Sequence, residues 1–140
     1  MKVVINRCWG GFGLSLKGQK RLAELQGKEI YFYKQIKYDF QDGEDEYQRI
    51  DDLVKDGLFI HASTKDFGEF ASCAELNKHY YRCDVERNDE NLIKVIKELG
   101  KEANTQYSNL KIVEIPDDIE WEIDDYDGME SIEEIHRSWA

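Results

Sequence analysis

Gly10, Gly11 and Gly13 put three glycines into four positions, between a β-branched run and an amphipathic one. Glycine alone reaches backbone angles closed to other residues, so this segment must be a tight turn. The preceding residues 2–6 (KVVIN) read as a short buried strand, because Val3, Val4 and Ile5 are β-branched. The following residues read as a helix. Ser15 is a suitable N-cap, Leu16, Leu22, Ala23 and Leu25 form an inward face, and Gly27 suits the stop after Gln26. Gly18 weakens the early part of that helix. Residues 29–33 (EIYFY) read as a second strand, so the chain opens as strand, Gly-rich turn, helix, strand.

Residues 34–57 are polar and acidic, with QDGEDE as an exposed loop. A short strand is expected over 58–61, one helical turn at ASCAEL and a strand at HYYRC. Asn88 or Asp89 then caps a helix running to about Ala103, with Leu92, Ile93, Val95, Ile96 and Leu99 as its apolar stripe. LKIVEI (110–115) is a strand, Pro116–Asp118 a turn, and IEWEID (119–124) the returning strand. In IEWEID, Ile119, Trp121 and Ile123 alternate with acids, which gives one buried and one charged face. Tyr126-Asp127-Gly128 turns the chain again, and Met129, Ile132 and Ile135 are spaced for a last helix to about Arg137. The expected fold is α/β or α+β. It is a single domain with a small sheet of mixed strand directions and a C-terminal hairpin plus helix.

The chain has 140 residues, enough for one compact core. No stretch reaches the roughly 18–20 apolar residues that span a bilayer. The start, MKVVINRCWGG, carries no apolar signal region, so a cytoplasmic setting is expected. Cys8, Cys73 and Cys83 are odd in number and lack C-x-x-C spacing, which argues for three reduced thiols. The formal charge of −11 argues against direct binding of nucleic acid or anionic membrane. That charge is uneven. Residues 1–40 hold eight basic and three acidic groups, a net of +5, whereas residues 41–140 have a net of −16.

The Gly-rich turn is the best local candidate for chemistry. A strand–turn–helix junction directs N–H groups and partial positive charge at an anion. Arg7 and Ser15 would add donors, and Trp9 and Phe12 would stack on a base. The segment lacks the last glycine of G-x-G-x-x-G and the G-K-[ST] of a P-loop. The plain structural alternative is a tight chain reversal with packed aromatics. Asp124, Asp125 and Asp127 fail the EF-hand pattern, because Ile123 would occupy its first ligand position. The three histidines show no metal spacing, so neither metal nor cofactor is expected. Arg87, before the middle helix, would contact an anion or pair with an acid.

VVINRCWGGFGLS at the start, RNDENLIKVIKELGKEAN in the middle and LKIVEIPDDIEWEIDDYDGMESIEEIHRSW at the end resemble a family of small proteins of tailed bacteriophages. The resemblance lies at both ends, and residues 34–82 add nothing to it. Where the family's middle motif has Pro after its Asp, this chain has Glu90. The resemblance implies a phage product acting in the bacterial cytoplasm and supplies no catalytic residue. By analogy with small accessory phage proteins, the expected function is sequestration of a nucleotide-derived immune signal, such as a cyclic nucleotide or cyclic ADP-ribose isomer. Arg7, Gly10, Gly11, Gly13 and Ser15 would hold phosphates, and Trp9, Phe12 or Trp121 the bases. Arg87 and Arg137 would complete the pocket, from the same chain or from a second copy in a homo-oligomer. Two alternatives stand beside it. One is an acidic inhibitor or nucleic-acid mimic that binds a host protein. The other is a nucleotide-processing enzyme using Glu122, Asp127 or Glu130 with His136.

Overall fold

The computed structural model of the chain describes residues 1–37, 46–53 and 60–135. Three α-helices and eight strands among them make the fold α+β. Against the mixed strand directions expected from sequence, all five ladders among the described residues are antiparallel. The chain forms two compact units, residues 1–18 with 85–140, and residues 19–84. Among the described residues, no helix is long and apolar enough to cross a membrane.

The first unit is built on β1 (Lys2–Asn6) and α3 (Glu90–Leu99); the helices α1 (Leu16–Leu25) and α2 (Cys73–Lys78) precede α3 in the chain. β1 pairs with β6 (Leu110–Glu114), placing Val3 opposite Val113 and Asn6 opposite Leu110. Asp89 starts α3 by accepting the N–H groups of Asn91 and Leu92 at 2.9 and 3.0 Å. That bond satisfies donors a helix start leaves orphaned. Leu92, Val95 and Ile96 are buried, and α3 packs on β1 and β6. A 3₁₀ turn, Gly100–Ala103, continues the helix.

β6 and the next strand do not form the hairpin that Pro116–Asp118 suggests. Instead β7 (Trp121–Tyr126) pairs with β8 (Met129–Glu134). Met129–Glu134 is therefore a strand, which corrects the expected last helix. The two-residue turn decides this. Asp127 and Gly128 both have positive φ, 50° and 89°. That combination matches the twist of a tight antiparallel hairpin. The rest of the expected helix, residues 136–137, lies outside the described residues.

In the second unit, β2 (Tyr31–Lys37) is central in a sheet of order β4-β2-β3-β5. β3 is Glu46–Ile50, β4 Ile60–Ser63 and β5 Phe70–Ser72. The polar stretch 34–57 thus contributes strand at 34–37 and at 46–50. Of the QDGEDE loop only Glu46 is described, and it begins β3. Expected strand 29–33 shifts to Tyr31–Lys37, and HYYRC supplies only a single bridge, Tyr80 to Ser63. ASCAEL does hold a helix start: Ser72 and Glu75 cap α2 reciprocally. Tyr33, Tyr47, Ala71 and Leu76 form one core cluster of this unit.

Candidate functional site

The Gly-rich turn sits where β1, the loop before β6 and the tip of the β7–β8 hairpin meet. Asn6 is fully buried and ties the three together. Its side-chain amide donates to the carbonyls of Cys8 and Gly128, both at 2.7 Å, and its Oδ1 accepts the Asn109 N–H at 2.8 Å. Its backbone N–H donates to Glu130 Oε1 at 2.8 Å. Glu130, only 4% exposed, also takes both arms of Arg87, at 2.5 and 2.9 Å. The Arg87 guanidinium lies 3.7 Å from the centre of the Phe12 ring. Burial of a carboxylate is costly unless it is paired and hydrogen-bonded, and here it is both.

The glycines serve this close packing. A side chain at Gly128 would collide with the Gly11 nitrogen and the Trp9 carbonyl, and one at Gly10 with Tyr107. Gly11 has φ +91°, and the Gly13 carbonyl accepts the Ser108 hydroxyl at 2.8 Å. Donors expected to face an anion are engaged within the unit. Arg7 gives its N–H to Asn109 and a guanidinium arm to the Glu130 carbonyl, both at 2.8 Å. The Ser15 hydroxyl is buried, accepts from the Gly18 N–H at 3.1 Å and donates to the Glu102 carbonyl at 2.6 Å. Its N–H donates to Ala103. Lys17 stands 3.6 Å from Glu102.

The structure therefore brings together Arg7, Trp9, Gly10, Gly11, Phe12, Gly13 and Arg87. Trp121 and Tyr126 begin and end β7, about 16 Å apart at strand rise, and it is Tyr126 that meets Trp9. Arg137 and His136 lie outside the described residues. What the turn presents outward is aromatic. Trp9 is 58% exposed, Tyr107 61% and Tyr126 70%, with Trp9 and Tyr126 in edge contact at 5.8 Å.

Two of the front third's eight bases, Lys20 and Lys28, meet in a cleft of about 490 Å³ within the second unit, which three bases and three acids line. Lys20 comes from α1, Lys28 from the loop after it, Tyr31 from β2 and Arg49 from β3. Arg49 lies 4.7 Å from the Tyr31 ring centre and is held by Asp66 at 3.0 Å and Asp51 at 3.6 Å. The Gly68 N–H, with Arg49, keeps the Asp66 carboxyl below the usual carboxylate range. The Tyr31 hydroxyl donates to Glu29 at 3.0 Å, which raises its pKa. Glu24 pairs with Arg21 at 3.2 Å. The acids around the cleft are thus engaged, whereas Lys20 and Lys28 have no ion-pair partner among the described residues. Sequence reasoning missed this cleft, since only Lys20 and Lys28 of the eight bases in residues 1–40 line it.

Among the described residues, no three His, Cys, Asp or Glu side chains converge as a metal site. Burial pushes the Cys83 thiol up to about 11, so it is not a thiolate near neutrality. The chain matches no family model, no curated protein and no solved structure.

Proposed function

We infer that this chain is a binding protein that takes up an anionic, nucleotide-derived small molecule and releases it unchanged. In a phage accessory protein of the bacterial cytoplasm, that activity would sequester a cyclic nucleotide or cyclic ADP-ribose isomer made as an immune signal. The observation that carries the reading is the cleft of the second unit. Lys20 and Lys28, which have no ion-pair partner among the described residues, line it with Tyr31 in a chain whose net charge is −11. Its volume of about 490 Å³ falls within the size range of small-molecule sites, roughly 300–1,000 Å³. Lysine ammonium groups suit phosphate oxygens, and the half-buried Ile50 and Leu53 suit a base or ribose edge. Glu130, the acid best placed for an enzymatic reading, is used structurally, with its oxygens engaged by Arg87 and the Asn6 N–H.

Incubating the chain with a panel of such ligands, followed by filtration and chromatography, tests the reading. Retention of one ligand, recovered intact after denaturing the protein, supports it. Conversion of excess ligand would show an enzyme instead.

A second reading rests on the exposed Trp9, Tyr107 and Tyr126 beside the acidic strand β7. Aromatic anchors rimmed by acids fit a basic partner protein, as an inhibitor or mimic would require. Charge reversal at Glu120, Glu122 and Asp124 would abolish such binding and leave cleft binding intact. Sedimentation would separate a host partner from a second copy of the chain.

A further inference from the structure

The first unit carries a separate cation cluster at the end of β1 remote from the Gly-rich turn. Lys2 begins β1, and Lys94 and Lys97 stand one turn apart on α3. All three line one groove of about 380 Å³, together with Asn88. Glu90 is the acid among its lining residues. Lys2 and Lys97 line the same groove, and the neighbouring Lys2 ammonium group holds Lys97 below the ordinary lysine range, offset in part by Glu114. Neither Lys2, Lys94 nor Lys97 has a salt bridge to a carboxylate among the described residues. Among the described residues the Asn88 amide meets only the Met1 sulfur, a weak acceptor, at 3.6 Å.

This arrangement is unfavourable by itself. The chain has 30 acids, yet here the side chains of Lys2, Lys94 and Lys97 line one groove with a single acid, Glu90. Like charges in contact repel, and an anion placed between them converts that repulsion into two attractions. A single carboxylate would satisfy one ammonium group, whereas a phosphate chain presents several oxygens to lysine donors at once. The acidic remainder of the chain opposes a long polyanion such as a nucleic-acid strand, so a small ligand fits better.

We propose that the groove between Lys2, Lys94 and Lys97 binds a small di- or triphosphate-bearing anion, bridged by Lys2 and Lys97 with Asn88 as a neutral donor. The site belongs to the first unit and does not depend on the cleft containing Lys20 and Lys28.

Titration of the full chain with inorganic pyrophosphate, read by calorimetry and by NMR of the lysine ammonium groups, tests it. The expected result is saturable binding that weakens about tenfold in Lys97→Gln and in Lys2→Gln. The Lys97 ammonium signal titrates at higher pH once pyrophosphate is bound. Circular dichroism of each variant shows that it folds, and Lys111→Gln on β6 is the unaffected control. Absence of saturable binding, or equal binding by the wild type and both variants, overturns the proposal. So does loss of pyrophosphate binding in Lys28→Gln with none in Lys97→Gln, which would place the anion in the other cleft.

Discussion

Glu130 and Arg87 form a two-armed ion pair, 2.5 and 2.9 Å long, at the meeting point of the Gly-rich turn and the C-terminal hairpin. Residues 43 positions apart in sequence thereby fix one another. Glu130 also holds the Asn6 N–H, and Arg87 covers Phe12. Removing one partner leaves the other charge partly buried and unmatched. Glu130→Ala should therefore cost about 3 kcal/mol of stability in urea unfolding. The double variant Glu130→Ala with Arg87→Ala should cost less than the sum of the two singles. A loss under about 1 kcal/mol for Glu130→Ala would show that the pair is not structural.

Two glycines with positive φ should respond differently to alanine. Gly27 has φ +75° and open space around it, so Gly27→Ala should cost only the backbone term, about 1 kcal/mol. Gly128 has φ +89°, and its new methyl group would also strike Gly11 and the Trp9 carbonyl. Gly128→Ala should cost more than twice as much and change the near-ultraviolet dichroism of Trp9 and Tyr126. Equal losses at the two positions would mean that the hairpin tip does not press on the turn.

Burial of Cys83 gives a pH dependence of definite sign. The folded chain holds its thiol proton up to about 11, against an ordinary value of 9.0. Folding is thus favoured below pH 9, and this contribution is lost as pH rises through the folded value near 11. Stability followed by denaturant titration should fall across that window, and Cys83→Ala should flatten the fall. Alkylation by iodoacetamide at pH 8 should be slower at Cys83 in the folded chain than after unfolding. Equal rates in the two states would contradict the burial.

Much of the fold is legible in local pattern. The β-branched run at Val3–Ile5, the Asp89 cap with its apolar stripe, and the alternation around Trp121 each produce the element they suggest. The C-terminus misleads because Met129 and Ile132 suit either a helix or a packed strand. The Asp127-Gly128 pair, a hairpin turn, was the better guide. The buried acid Glu130 hid the alternation of β8, since its burial depends on Arg87, far away in sequence. β3 was obscured likewise, with Tyr47 the one buried residue of its five. The basic excess of the front third was legible as a number, but not which two of its bases would share a cleft. Lys20 and Lys28 reach one cleft only because β2 and β3 pair beside them, a contact no local spacing encodes.

Calorimetric titration of the full chain with cyclic dinucleotides and cyclic ADP-ribose isomers, repeated on Lys20→Gln and Lys28→Gln, tests ligand capture in the cleft most directly. At least one ligand should bind saturably and be recovered unchanged, and each substitution should weaken it about tenfold. No heat with any member of the panel, equal affinity in the variants, or recovery of an altered ligand would contradict it.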